Sequence, residues 1–302
     1  MALGNLAQRA LVAVVAVPIL LVVLYIGRPE PTWIVIFAAS LLAMREFFAM
    51  TLPAEDRVPS LVIGAITCAC FYWLDPATLV VYQIESHQLA RIAFAGPTIT
   101  LMVGVIGPAL YYLFRFREIP SVAPRFAATV AGIVYAGLLL TFLAILGRDP
   151  VGVLSHAVDR GEFPGSDLVR GDAVLLVLIV AWVADTGAYF AGRFLGNTKL
   201  YEAVSPKKTW AGAWGGLAGS LIGAAAFKLV RAHWLSWADV CLIAIPGGIL
   251  GQMGDLAESL IKRSVGVKDS GSLLPGHGGL LDRIDAVLFI APYTFAYLSI
   301  AH

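Results

Sequence analysis

Asp255, Glu258, Ser259 and Lys262 follow one another at i, i+3, i+4 and i+7 within the run "GDLAESLIKR", the spacing that puts side chains on one face of an α-helix. Two carboxylates, a hydroxyl and an ammonium group together suit a hard divalent cation and anionic oxygen. A solvated helix face has the same look, so the residues that follow decide. Lys268 and Asp269 precede "SGSLLPGHGGLLDRID", where Pro275, Gly276, Gly278 and Gly279 allow tight turns and close backbone approach. Glycine-rich backbone running into a helix start presents free N–H groups to an anion, commonly a phosphate. Asp282 and Asp285 add oxygen ligands beside that cradle. Such ligands fit Mg²⁺, which takes one or two carboxylates and completes its shell with water and substrate phosphates. His277 lies between glycines and is given no proton-transfer role, since fixing the loop by hydrogen bonding explains it equally well.

A second stretch, "GRFLGNTKLYEAVSPKKTW" at 192–210, supplies Lys199 and then Ser205, Pro206, Lys207, Lys208 and Thr209. Lysines and hydroxyls beside a metal site suggest a polyphosphate, yet no Walker-type or kinase-type glycine run is present. Asp185 stands inside the apolar run "LIVAWVADTGAYFAG". A carboxylate within a span costs about 2.5–3.5 kcal/mol on insertion scales, so it marks a functional position or a partner for a neighbouring cation.

The elements that carry these groups are set by composition. The chain has 302 residues, 59% hydrophobic and 14% charged, with a mean hydropathy of +0.82, against about 25% charged residues in ordinary soluble domains. It reads as an all-α, polytopic integral membrane protein. A net charge of +1 excludes a broad basic field for nucleic acid. Cys68, Cys70 and Cys241 lie in apolar stretches without zinc or disulfide spacing. About nine spans are expected, near 10–27, 32–50, 58–74, 94–115, 127–147, 172–191, 211–230, 238–262 and 284–300. The first is too long for a signal core and lacks a small-residue cleavage site. Residues 75–93 are expected as a short interfacial or re-entrant piece. With this count, Lys and Arg gather on the side that holds Arg9, Arg57, Arg115, Lys207, Lys262 and Arg283, which is then cytoplasmic. The span at 238–262 overruns the ~30 Å hydrocarbon core, so its acidic face reaches the cytoplasmic interface. Gly215, Gly219 and Gly223 form a small-residue row that lets another helix approach. Division at 171 separates N-terminal helices, 1–171, from a C-terminal catalytic region, 172–302.

The segment "SLIKRSVGVKDSGSLLPGHGGLLDRID" resembles the signature of the phosphatidate cytidylyltransferases, or CDP-diacylglycerol synthases, and "DTGAYFAGRFLGNTKLYEAVSPKKTWAG" resembles a second recurrent stretch of that family. Together they cover most of 182–285. One departure is Ala211, where the family more often carries Glu after "SPKKTW"; Glu202 is the alternative carboxylate. The resemblance implies transfer of the cytidylyl group of CTP to phosphatidic acid, giving CDP-diacylglycerol and pyrophosphate, with Mg²⁺ as one ion or two. It implies a multi-pass protein of the cell inner (cytoplasmic) membrane, with its site facing the cytoplasm. Asp255 and Asp282 are then expected to hold the metal, with Asp185 and Glu258 as further ligands or orienters. Lys199, Ser205, Lys207, Lys208 and Thr209 would bind phosphate oxygens beside Gly276, His277, Gly278 and Gly279. Lys262, Arg263, Lys268 and Arg283 would neutralise developing charge. The expected partners are CTP, phosphatidic acid and membrane lipid, with no nucleic acid and with monomer and homodimer both open.

Three rival readings differ in their products or fluxes. A CTP-using polyprenol or phytol kinase would release CDP instead of pyrophosphate. A CDP-alcohol phosphotransferase would show a D-G-x-x-A-R run, which is absent. A transporter would use Asp185 and the Pro246-Gly247-Gly248 break as coupling features, but leaves both loop motifs unexplained.

Overall fold

The computed structural model describes residues 17–25, 29–75, 87–115, 119–148, 166–271 and 278–301. After a helical stretch at 17–25, its helices are α1 (Pro29–Thr51), α2 (Ala54–Trp73), α3 (His87–Phe114), α4 (Ile119–Leu146), α5 (Ser166–Leu195), α6 (Trp210–Val230), α7 (Trp237–Ser264) and α8 (Leu281–Ala301). Within α4, Ile133–Leu138 adopt π geometry. Helices dominate because lipid offers no hydrogen bonds to the backbone, which must satisfy its own groups. Apolar side chains such as Ile34, Val62, Leu101, Ile222 and Met253 are exposed on the bundle, as expected of surfaces that meet acyl chains. The interior is packed with Met44, Phe48, Tyr72, Ile133, Leu176 and Leu288.

Among the described residues, seven helices are long and apolar enough to cross a membrane: Pro29–Thr51, Ala95–Phe114, Ile119–Leu146, Gly171–Leu195, Trp210–Val230, Trp237–Ser264 and Leu281–Ala301. Of the other two expected spans, 58–74 lies in α2, a 20-residue helix outside those seven. The remaining one, 10–27, is described only over 17–25, which are helical. The piece expected at 75–93 is likewise undescribed over 76–86, and from His87 onward it is the first part of α3.

α5 and α6 cross at backbone contact, as the glycine row predicts. A methyl group on Gly187 would stand 2.4 Å from the Gly215 carbonyl oxygen, and one on Gly219 would stand 2.5 Å from the Val183 carbonyl oxygen. Between apolar helices in lipid, such close van der Waals contact replaces the hydrophobic drive that works in water. On its far side α6 meets α7, where Ser220 Oγ donates to the Ala244 carbonyl at 2.9 Å. Among the described residues, one element is extended. β1 (Lys199–Tyr201) and β2 (Ser205–Thr209) form an antiparallel hairpin between α5 and α6, with Lys199 opposite Thr209 and Tyr201 opposite Ser205.

Polar contacts separate the two ends of the bundle. At one end Arg231 Nε donates to Asp172 Oδ1 at 2.7 Å, Tyr25 donates to the same oxygen at 2.6 Å, and Tyr297 donates to Asp239 at 2.6 Å. Asp239 also closes a capping box with Ser236 at the start of α7. At the other end Asp56, fully buried, receives Tyr111 at 2.9 Å and Arg125 at 3.3 Å and pairs with Arg115. That second end also gathers the C-terminus of α1, the hairpin, the end of α7 and the start of α8.

Candidate active site

The predicted face of α7 is present as drawn from the spacing. Ser259 Oγ donates to Asp255 Oδ1 at 3.4 Å, and Lys262 Nζ donates to Glu258 Oε2 at 2.9 Å. Lys262 Nζ also reaches Asp282 Oδ1 of α8 at 2.5 Å, so one ammonium group joins carboxylates from two helices. Glu258 is 1% exposed and Lys262 8%. Burial of that charge is tolerable only because it is paired and hydrogen-bonded. The second oxygen of Glu258, Oε1, is buried without a hydrogen-bond partner.

The start of α8 does present N–H groups to anions, and those anions are protein carboxylates. Asp282 Oδ2 accepts from Gly279 N–H at 2.9 Å and Ser270 N–H at 3.1 Å. Glu46, from α1, accepts from Leu280 N–H at 2.9 Å and Leu281 N–H at 2.9 Å. The first N–H groups of a helix have no partner within it, and the negative charges also complement its dipole. Gly278 has φ +79°, left-handed backbone that favours glycine, and a Cβ there would lie 2.8 Å from Asp282 Oδ2. Gly276 and His277 lie outside the described residues, as does Pro275.

The hairpin brings the second motif to the same place. Lys208 Nζ, on β2, is 2.6 Å from Asp255 Oδ2 on α7. Lys199 is exposed and donates across the hairpin to the Pro206 carbonyl at 2.7 Å. Lys207 is exposed and Ser205 half-buried. Thr209 sits differently from its neighbours: it is buried, and its Oγ1 caps α6 by accepting from Gly212 N–H at 3.1 Å.

Asp185 is exposed and within electrostatic range of Asp255, Lys208 and Arg283, so α5 delivers its carboxylate to this cluster as well. Arg263 donates to the Val267 carbonyl at 3.1 Å, and Lys268 and Asp269 are exposed. Among the described residues, no three or more His, Cys, Asp or Glu side chains converge closely enough to hold a metal unaided. Mg²⁺ does not need such a cage. Asp255 and Asp282 lie on adjoining helices, each paired with a lysine, and Glu258 Oε1 has no hydrogen-bond partner.

Three residues enter the neighbourhood without having been singled out as its parts. Glu46 is 8% exposed and Ser270 5% exposed, and they hydrogen-bond to each other at 3.0 Å. Tyr135, in the π segment of α4, has a buried hydroxyl without a partner and lies in range of Glu258, Asp285 and Asp255. Glu46 carried a legible signal, since a carboxylate within "AMREFFAM" in an apolar span raises the same question as Asp185. No periodicity marks Ser270 or Tyr135.

The fold and site define the class, a helical, multi-pass membrane protein with two lysine–carboxylate pairs and a hydroxyl-bearing basic hairpin at one end. The model of the cytidylyltransferase family matches residues 7–301. The phosphatidate cytidylyltransferase of Bacillus subtilis (strain 168) is 30% identical over 296 residues, 98% of this chain and 98% of the relative. That of Synechocystis sp. is 34% identical over 210 residues, 64% of this chain and 68% of the relative. That of Brucella suis biovar 1 is 38% identical over 171 residues, 56% of each. The chain belongs to the cytidylyltransferase family and is an enzyme, a CTP-using nucleotidyltransferase.

Proposed function

We propose that the enzyme transfers the cytidylyl group of CTP to phosphatidic acid, giving CDP-diacylglycerol and pyrophosphate. The observation that carries this reading is the joining of two cations to two carboxylates, Lys208 to Asp255 at 2.6 Å and Lys262 to Asp282 at 2.5 Å, at one end of an apolar bundle. A soluble polyanion and a lipid-anchored anion meet only at such an end. An oxygen of the lipid phosphate attacks the α-phosphorus of CTP, the bond to the β-bridging oxygen breaks, and pyrophosphate leaves with that electron pair. A phosphate monoester has its second pKa near 6, so the nucleophile is largely anionic already and no strong protein base is required. What the chain supplies is alignment and charge neutralisation.

In this reading Asp255 and Asp282 hold Mg²⁺, with Asp185 and Glu258 as further ligands or orienters, and the bound ion neutralises phosphate charge as a Lewis acid. Lys199, Ser205, Lys207 and Lys208 bind phosphate oxygens. Lys262 keeps Glu258 and Asp282 together, and Arg263, Lys268 and Arg283 offset charge on the departing pyrophosphate. In this reading the site faces the cytoplasm from the cell inner membrane, which the excess of Lys and Arg in the loops on that side supports.

The test is the purified protein in detergent or bilayer with CTP, phosphatidic acid and Mg²⁺, following pyrophosphate and lipid-linked cytidine. Both are expected in equal amounts. Formation of neither overturns the reading, and release of CDP in place of pyrophosphate replaces it with a kinase.

A further inference from the structure

We infer that Glu46 is a positioning residue for this reaction: it ties α1 to the start of α8 and thereby sets the place of Asp282. The inference rests on the reading of Asp282 as part of the site. Glu46 lies towards the C-terminal end of α1, far from both motifs in sequence, and is 8% exposed. Its Oε1 accepts from Leu280 N–H at 2.9 Å, and its Oε2 accepts from Leu281 N–H at 2.9 Å and from Ser270 Oγ at 3.0 Å. Ser270 in turn gives its own N–H to Asp282 Oδ2 at 3.1 Å. Gly279 donates to the same oxygen at 2.9 Å. The result is a continuous chain from Glu46 through Ser270 to Asp282 and on to Lys262 and Glu258.

The glycines around Glu46 show how closely this carboxylate is built in. A methyl group on Gly271 would stand 2.8 Å from Glu46 Oε1, and one on Gly279 would stand 2.5 Å from Glu46 Oε2. Two glycines of the first motif therefore leave room for a protein carboxylate. Charge-assisted hydrogen bonds of this kind are shorter and stronger than neutral ones, and a buried carboxylate needs them. With the Ser270 and Gly279 N–H groups held on one side and Lys262 on the other, Asp282 has one orientation. Residues that orient a functional carboxylate in this way typically contribute about 10–100-fold to activity or affinity.

The experiment uses the full-length enzyme with Glu46→Gln, which keeps the shape but removes the charge and places an NH₂ group against N–H donors. The expected result is a kcat lower by about 10–100-fold, with KM for CTP and for phosphatidic acid changed by less than about threefold, because Glu46 touches neither substrate in this scheme. Amide hydrogen exchange of Ser270 and of Gly279–Leu281 should speed up while that of α6 stays unchanged. A folded Glu46→Gln enzyme with wild-type kcat, or with unaltered exchange at those amides, overturns the inference. Should Glu46→Gln fail to fold, Ser270→Ala removes one link of the chain and carries the test: a folded variant with wild-type kcat overturns it, and a lowered kcat at unchanged KM supports it. Exchange needs no substrate, so absence of pyrophosphate release from the unaltered enzyme would defeat the proposed reaction while leaving the link from α1 to α8 separately measurable.

Discussion

Lys208 Nζ lies 2.6 Å from Asp255 Oδ2, joining a two-stranded hairpin to the C-terminal turns of α7. Neither motif is complete without the other, because the basic hairpin supplies the counter-charge to a carboxylate two helices further along the chain. The pair places a cation and a carboxylate side by side, the two groups that the proposed reading assigns to phosphate and to metal. If Lys208 binds a phosphate oxygen, Lys208→Ala should lower kcat/KM for CTP by about 10–100-fold, the worth of a hydrogen bond to a charged group. Lys208→Arg should recover part of the loss. Steady-state kinetics with CTP as the varied substrate checks this.

Asp282→Asn retains the size of the side chain and removes its charge. The Gly279 and Ser270 N–H groups keep an acceptor, so the protein should remain folded and monodisperse. Turnover should fall by at least about 100-fold at saturating Mg²⁺, in line with loss of an oriented ligand. Near-normal kcat in that variant would remove Asp282 from the metal shell.

Lys262→Met leaves the buried Glu258 without its cation and brings it into unrelieved repulsion with Asp282. Breaking a buried pair in this way costs about 3–5 kcal/mol. Thermal unfolding should show a marked loss of stability, and adding Glu258→Gln to Lys262→Met should recover part of it, since the uncompensated charge is then gone. No recovery in the double variant would show that Lys262 acts by packing instead of charge.

Thr209 was expected among the phosphate ligands, and its hydroxyl caps α6. Thr209→Val should therefore destabilise by about 1 kcal/mol, while Thr209→Ser, which keeps the acceptor, should match the parent. If Thr209→Val loses activity with no change in unfolding temperature, the hydroxyl serves the substrate and not the helix.

Gly215→Val tests the close crossing that brings Asp185 to the site. A Cβ at that position would stand 2.2 Å from Ala191 Cβ and 2.7 Å from the Gly187 carbonyl oxygen, so α5 must move away from α6. Overpacking of this kind costs about 1–3 kcal/mol or more. Both unfolding temperature and turnover should fall, with Gly215→Ala affected less than Gly215→Val.

Local periodicity made much of the molecule legible. The spacing of Asp255, Glu258, Ser259 and Lys262 placed them on one face because a helix repeats on a short, fixed period, and the contacts from Ser259 to Asp255 and from Lys262 to Glu258 follow directly. The Gly215, Gly219 and Gly223 row announced a close helix crossing for the same reason. The apolar runs set the helices, because lipid leaves the backbone no other partner.

Tertiary structure alone decided which distant charges meet. That Lys208 answers Asp255, that Lys262 spans to Asp282, and that Glu46 fills the helix start where a phosphate was expected are pairings between different elements. Spacing along one helix carries no information about the face it turns to another, so no periodicity foretold them. The β1–β2 hairpin escaped notice because strands of 3 and 5 residues are too short to establish an alternating pattern. What the sequence determined was the inventory of helices and the presence of ionisable groups costly to bury; how those groups compensate one another was settled by the packing that buries them.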